Sequence, residues 1–536
     1  MARTRFIGSA QVFVALLAGL ATAHHADATG GVAMPIATAA ATSTATAPAP
    51  TLAIVVRDQT PLRAGPHETA QQQAQLWQGE VVEVRGERLD TLQVWDYRRE
   101  RGGFVEAARL RRLAMRPADA PELMAIVRFV RETPGAEAMG IGFAAAWLKA
   151  ATPQALRGEG GIEAFDAIGT MADRLAQRAS PVVAAAAAPG APGVAAAGRA
   201  DAALAAHLEV VARYGVAFRS VERDGAMRLC YDGEAFRRVL AMPADAAQHA
   251  RAALGLTRPE CADPQATFSE RQRADEWRAE VLDRVDEAKL PATWRNRVAM
   301  RRAGVWSRLA YEHARRGESA PSGAAAKRSL VELATVERAE LADADLATYN
   351  DAAIRVSASR WAAGSSDVTP TAARGVSIVA AAGEAGQTCV LLVDAKHDVR
   401  EPLLKRCTFG VVWAGSATLN REGNALALAV QPMDAWRELW VFRNEGKGSG
   451  GWSVQVLPPS TAAPELGVAE FAGWVPGGRQ VLVARESRGE RGLKRSFEVV
   501  RLDTLGTERQ ASDPSVLGPF QRWQDAAWKR ETVSIR

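Results

Sequence analysis

Between Ile54 and Arg112 apolar and polar residues roughly alternate, most clearly along Glu80-Val81-Val82-Glu83-Val84-Arg85 and Leu92-Gln93-Val94-Trp95-Asp96-Tyr97. A period of two marks half-buried strands, and the turn-prone clusters between the runs predict short antiparallel strands with a long first loop. From Pro121 the period lengthens. Leu123, Ile126, Val127 and Val130 recur at helical spacing behind Asp119 as cap and Pro121 in the first turn. Ala-rich helices are predicted at 136–151 and 161–179, and further helices at 200–214, 233–241, 243–255, 267–289, 292–317 and 327–347. Pro, Gly and an alanine run make 181–199 a low-complexity loop inside this region. Asp224-Gly225 between two strand-like runs predicts a hairpin over 218–231. Trp277, Trp294 and Trp306 are expected as core anchors of the helical array.

Beyond about residue 350 the period returns to two, and a loose repeat sets in. Trp361, Trp413 and Trp474 each precede a pair of strand-like runs, and with Trp528 the steps are 52, 61 and 54 residues. Repeats of that length with several strands each suggest propeller blades. Three units and a fragment are too few for the usual closed ring. An incomplete propeller, an open stack of sheets and a sheet completed by the helices all stay open.

The N-terminus changes the picture by setting the compartment. Arg3 and Arg5 precede an apolar run at 12–20, and small residues follow at Ala21-Thr22-Ala23 and Ala26-Asp27-Ala28. That is the pattern of a secretory signal peptide, with the apolar run short of the ~20 residues that a span needs. Residues 1–28 are expected to be the signal, 29–51 an Ala/Thr/Pro-rich flexible linker, 52–115 the first β unit, 119–350 the helical domain and 351–536 the β-repeat domain. The fold class is multidomain α+β, and the periplasm is the expected location, with no integral membrane segment once the signal is removed. Cys230 and Cys261, and Cys389 and Cys407, lie close in sequence without metal-site spacing, so two local disulfides are expected. The net charge of +5 comes from interspersed acidic and basic residues, which argues for a solvated mixed surface and against nucleic acid as partner.

The order Pro61-Leu62-Arg63-Ala64-Gly65-Pro66, Leu76-Trp77-Gln78-Gly79, Leu92-Gln93-Val94-Trp95, Gly103-Phe104-Val105-Glu106 and Leu110 resembles the bacterial SH3 (SH3b) domain. The resemblance implies a small SH3-like β-barrel attached to a cell-envelope protein. The chain departs from the family in having Thr91-Leu92 where Gly-Trp is usual. More weakly, Trp474-Val475-Pro476-Gly477-Gly478-Arg479 resembles the turn motif of TolB-like propeller blades. Trp77, Trp95 and Tyr97 are either a binding face or in part core, and Arg98, Arg99 and Arg101 gather around one turn. Guanidinium groups form bidentate bonds to carboxylates. These six residues are therefore the candidate ligand-binding set.

Motifs for known chemistry are missing. Neither an H-E-x-x-H helix nor a G-x-S-x-G elbow occurs, and apart from His24 and His25 beside the signal the histidines are scattered singly. Gly140-Ile141-Gly142-Phe143-Ala144-Ala145 lacks the preceding strand of a dinucleotide site, so close helix packing is its expected role. Gly446-Lys447-Gly448-Ser449-Gly450-Gly451 lacks phosphate-loop spacing and is expected as a hairpin loop. No cofactor and no metal are expected. The reading is an exported envelope scaffold whose SH3b-like unit binds peptidoglycan or a peptide and whose β-repeat domain contacts a protein partner. The alternative is an exported hydrolase with carboxylates at the junction of the helical and β-repeat domains.

Overall fold

The computed structural model describes residues 50–180, 194–223, 226–364, 375–446, 451–461, 465–489 and 492–531. The signal, most of the linker, most of the 181–199 loop, the Asp224-Gly225 turn and most of the Gly446–Gly451 loop lie outside the described residues. The chain is a mixed α/β protein, with a helical middle region and antiparallel sheets on either side of it in sequence.

The first sheet holds β1 (Thr51–Val55), β2 (Thr60–Arg63), β3 (Gln72–Leu76), β4 (Val81–Arg88), β5 (Thr91–Asp96), β6 (Arg101–Glu106) and β7 (Leu110–Leu113), in the order β3-β2-β6-β5-β4-β1-β7. Its pairings form a single path from β3 to β7. Ala53, Val55, Leu62, Leu76, Val82, Leu92, Val94 and Val105 pack together as one core. The apolar run Leu52-Ala53-Ile54-Val55 breaks alternation because β1 is covered on both faces. Ala53 and Val55 point into the sheet's own core, whereas Ile54 joins the helices.

The helical region comprises α1 (Ala120–Arg131), α2 (Glu137–Ala150), α3 (Pro153–Arg157), α4 (Glu159–Ala179) and α5 (Val194–Ala212). A hairpin follows, of β8 (Phe218–Arg223) and β9 (Ala226–Tyr231). After it come α6 (Glu234–Leu240), α7 (Ala246–Leu256), α8 (Phe268–Asp283), α9 (Ala292–Arg315), α10 (Ser319–Ala334) and α11 (Asp343–Ser359). The glycines of α2 act in packing. A Cβ at Gly142 would sit 2.6 Å from Ile54 Cδ1, so the missing side chain lets strand and helix approach. The single helix expected at 327–347 is two helices, and the second runs to Ser359, past the boundary set at 350. Of the three anchor tryptophans, Trp294 and Trp306 pack on the helical core, but Trp277 is 41% exposed.

The remaining strands are β10 (Ser377–Ala382), β11 (Thr388–Val393), β12 (Leu404–Thr408), β13 (Val411–Leu419), β14 (Ala425–Met433), β15 (Trp436–Asn444), β16 (Trp452–Leu457), β17 (Gly467–Val475), β18 (Gln480–Gly489), β19 (Gly492–Arg501) and β20 (Thr507–Ala511). They form three antiparallel meanders, β10–β12, β13–β16 and β17–β20, and a short parallel bridge from β15 to β17 joins the last two. Among the described residues these sheets form no closed ring. Trp413 and Trp474 each lie on the first strand of a meander, which is the basis of the repeat. Trp528 instead lies on a helix. It belongs to α13 (Ala526–Glu531), which with α12 (Gly518–Trp523) covers Ala472, Leu482 and Phe497. On another side Ile354 and Ala358 of α11 pack on Ala435, Leu466 and Val468.

Both expected disulfides are formed. Cys230 on β9 is bonded to Cys261, and Cys389 and Cys407 are facing partners on β11 and β12. They are consistent with an exported protein. Among the described residues no helix is long and apolar enough to cross a membrane.

Candidate functional site between the first sheet and the helices

The six expected ligand-binding residues separate into three environments. On β5 alternation sends Leu92, Val94 and Asp96 inward and Trp95 outward. There Trp95 lies opposite Glu83 in the ladder, with the Arg85 guanidinium 4.5 Å over its ring. Tyr97, 64% exposed, donates its hydroxyl to Glu83 at 2.9 Å. That bond, and then the one from Arg85, holds the Glu83 carboxyl below its ordinary range. Trp77 is turned elsewhere. It is half-buried, edge-on to His207 of α5 at 6.5 Å.

The arginines of the β5–β6 turn are engaged internally. Arg98 donates to Glu80 at 3.1 Å and pairs with Glu209 of α5. Arg99 donates to Glu80 at 3.0 Å, to Asp96 at 2.6 Å and to the Gln75 carbonyl at 3.2 Å. Glu80 is only 4% exposed, so its charge needs these partners. Burial opposes the Arg99 charge, but Glu80 and Asp96 outweigh it and raise the guanidinium above its ordinary value. Arg101 donates to the Gln73 carbonyl at 2.8 Å. The turn is therefore a clamp between β4, β5 and α5, with much of its positive charge compensated.

A polar set behind the clamp ties the long first loop to the helices. His207 Nε2 lies 2.8 Å from Asp58 Oδ1, and Gln78 donates to Asp58 at 2.9 Å and to the Gly135 carbonyl at 2.8 Å. The Gln78 side-chain nitrogen also lies 3.2 Å from His207 Nε2. Burial works against the Asp58 charge, yet the hydrogen bonds from His207 and Gln78 prevail and its carboxyl is lowered.

Sequence reasoning missed the cleft beside this junction. It has a volume of about 170 Å³ and a floor of Leu52, Val81, Leu113 and Met115 from the sheet region, with Ala146 of α2 and Val210 of α5. Lys149 and Arg213 line it, both solvent-exposed. Neither cation makes a hydrogen bond or an ion pair among the described residues, unlike Arg98 and Arg99. Desolvation of its inner part, and then the neighbouring Arg98, lower the Arg213 guanidinium from its ordinary value against the pull of Glu80, so an added anion would be stabilising there. Tyr214 closes one side by donating to the Gly79 carbonyl at 2.6 Å. Gly79 has a φ of +88°, which a side chain rarely adopts. The Glu80 carboxylate also lines the cleft but is already bonded to Arg98 and Arg99, so an apolar floor with two unpaired cations suits a ligand with an apolar body and a carboxylate. The available signal was the pair Gly79 and Gly142, whose small size brings the sheet onto α2 and α5.

No protein-family model matches this chain, no curated protein matches it, and no solved structure matches it.

The other junction, between helices and C-terminal sheets, has a cavity of about 70 Å³ containing Glu470 and Asp525. Glu470 accepts from Ser357 at 2.9 Å and from Trp528 at 2.9 Å, and pairs with Arg437 and with Arg360. Burial opposes its charge, but the two arginines prevail and push it down to about 2. Asp525 accepts from the backbone of Ala527 and Trp528. Both carboxylates thus have structural partners. A second carboxylate group at this junction is Asp275, Glu312 and Asp434 around Arg308, which donates to Asp434 at 3.0 Å and to Asp275 at 3.4 Å. Glu312 is 3% exposed, and one of its oxygens has no hydrogen-bond partner. Burial first, and then Asp275, push its carboxyl up to about 8. Among the described residues no group of three or more His, Cys, Asp and Glu is placed to hold a metal ion.

Proposed function

We propose that the chain is an exported, non-enzymatic envelope protein whose N-terminal unit, similar to SH3b domains, binds peptidoglycan or a peptide. What supports the reading is the cleft in which Lys149 and Arg213, each without an ion-pair partner among the described residues, border an apolar floor. A peptide stem offers both halves of the match, with methyl and methylene groups for the floor and free carboxylates for the cations. The Arg98–Arg99 turn holds the cleft's walls in place, and Trp95 with Tyr97 gives a neighbouring aromatic surface for an extended ligand. The C-terminal sheets, where β12 and β20 are largely exposed edge strands, are the part assigned to a protein partner.

Co-sedimentation of the full chain with purified peptidoglycan tests this. Binding is expected at low salt, weakened by added salt because exposed charges are screened. Lys149→Ala combined with Arg213→Ala should lower the bound fraction at least fivefold with an unchanged melting temperature. A wild-type chain that stays in the supernatant at low salt overturns wall binding. Unaltered binding by the double variant removes the cleft from the reading.

A further inference from the structure

Helix α8 carries charges where an ordinary core-facing helix carries an apolar stripe. Arg271, Ala274, Asp275 and Arg278 recur at helical spacing and, with Trp277, line one side of a groove of about 580 Å³. That volume falls within the roughly 300–1,000 Å³ typical of small-molecule sites. The opposite side comes from the segment around Cys261, which the disulfide to Cys230 ties to β9. The lining mixes six arginines with four aspartates and Glu270.

Three features remain unmatched inside it. Arg278 is 8% exposed and donates Nη1 to Asp275 at 2.6 Å, but its buried Nε has no hydrogen-bond partner. Arg271 reaches only the Ala266 carbonyl, at 3.0 Å, and has no carboxylate partner among the described residues. Trp277 lines the same groove although large aromatics are usually covered. A buried donor left without an acceptor costs on the order of 1–3 kcal/mol, so the site favours an incoming acceptor. Asp232 and Asp263 each accept one backbone N–H through a single oxygen, from Glu234 and Gln265, which leaves the second oxygen of each for a hydroxyl.

We propose that this groove binds an acidic saccharide. The sugar carboxylate is taken by Arg271 and by the Arg278 guanidinium. One face of a ring stacks on Trp277, and hydroxyls donate to the aspartates. A phosphate ester fits less well, because its higher negative charge would face Asp173, Asp232, Asp263 and Asp275. A neutral sugar leaves both guanidinium positions unmatched. The proposal is independent of the N-terminal cleft, which shares none of these residues.

Titration calorimetry on the full chain tests it with uronate trisaccharides of two stereochemistries, a neutral trisaccharide and inorganic phosphate. At least one uronate probe should bind ten times or more tightly than the neutral sugar and phosphate. Trp277→Ala and Arg271→Ala, both at exposed positions and so expected to fold, should each weaken it at least tenfold. Lys149→Ala with Arg213→Ala should leave it unchanged, which separates this site from the peptidoglycan reading. Failure of both uronates to bind at millimolar concentration overturns the proposal. So does equal affinity for the neutral sugar or phosphate, or uronate binding that survives Trp277→Ala.

Discussion

The helical region meets a sheet at two places, and the two contacts rest on different chemistry. Toward the first sheet the contact is apolar and close, with Ile54 against Gly142 and Ile141 in the same core, and the charged groups stand around it. Toward the C-terminal sheets the centre itself is ionic, with Glu470, Arg437 and Arg360 buried together. The difference teaches where ligand chemistry can reside. An apolar contact edged by charge leaves Lys149 and Arg213 unpaired and accessible, whereas an ionic centre uses its charges on one another.

The largest effect should come from breaking the ionic centre. Glu470→Ala leaves two buried arginines without their carboxylate and should cost about 3–5 kcal/mol in chemical unfolding. A loss under 1 kcal/mol would show that water or another group replaces it. The sign with pH follows from the depressed carboxyl. Its contribution is complete above the ordinary value of 4.5 and disappears as pH falls through about 2.

Glu312 at the same junction has the opposite sign. Its carboxyl, shared with Asp275, Asp434, Arg308 and Arg271 as charged neighbours, keeps its proton up to about pH 8 in the fold and loses it near 4.5 when unfolded. Stability therefore falls as pH rises between those values. Glu312→Gln should remove that slope and make the protein more stable than the wild type at pH 8.5, by on the order of 3 kcal/mol, with little change at pH 4.5. Parallel melting curves for the two proteins across this range would refute it.

The smallest effect belongs to the apolar contact. Gly142→Ala places a Cβ 2.6 Å from Ile54 Cδ1 and should cost about 1–3 kcal/mol. Limited proteolysis should then cut sooner between β7 and α1 than in the wild type. Unchanged cleavage would mean that Ile54 shifts its rotamer and the contact is softer than its geometry suggests.

Periodicity was enough to place the first sheet, most helices and two strands of each C-terminal meander, because burial on one face leaves a mark every second or every third to fourth residue. The pairing of Cys389 with Cys407 was legible because two neighbouring strands carry it. Partnerships across long separations were not. Arg98 reads as a free cation until Glu209 on α5 is brought to it, and Glu470 reads as a surface residue on β17 until Ser357 and Arg437 surround it. The division of 327–347 into two helices was hidden for a related reason, since Asp343 and Asp345 start α11 without a Pro or Gly stop before it. Trp277 failed as an anchor because the charged spacing of α8 around it marks a groove, a signal present in the sequence but overshadowed by the indole.

Strand β1 has a consequence for how the chain matures. It is the last strand but one in its sheet, hydrogen-bonded to β4 on one side and β7 on the other, and Ile54 on its reverse face packs on α2. In a chain that emerges N-terminus first, this segment appears well before the residues that cover it. It must wait for Leu113 to complete its pairing and for Gly142 and Val210 to complete its packing. During that interval an apolar strand with two open edges is exposed, a form prone to self-association. A factor that shields residues 51–55 until residue 210 has emerged should therefore raise the yield of folded chain.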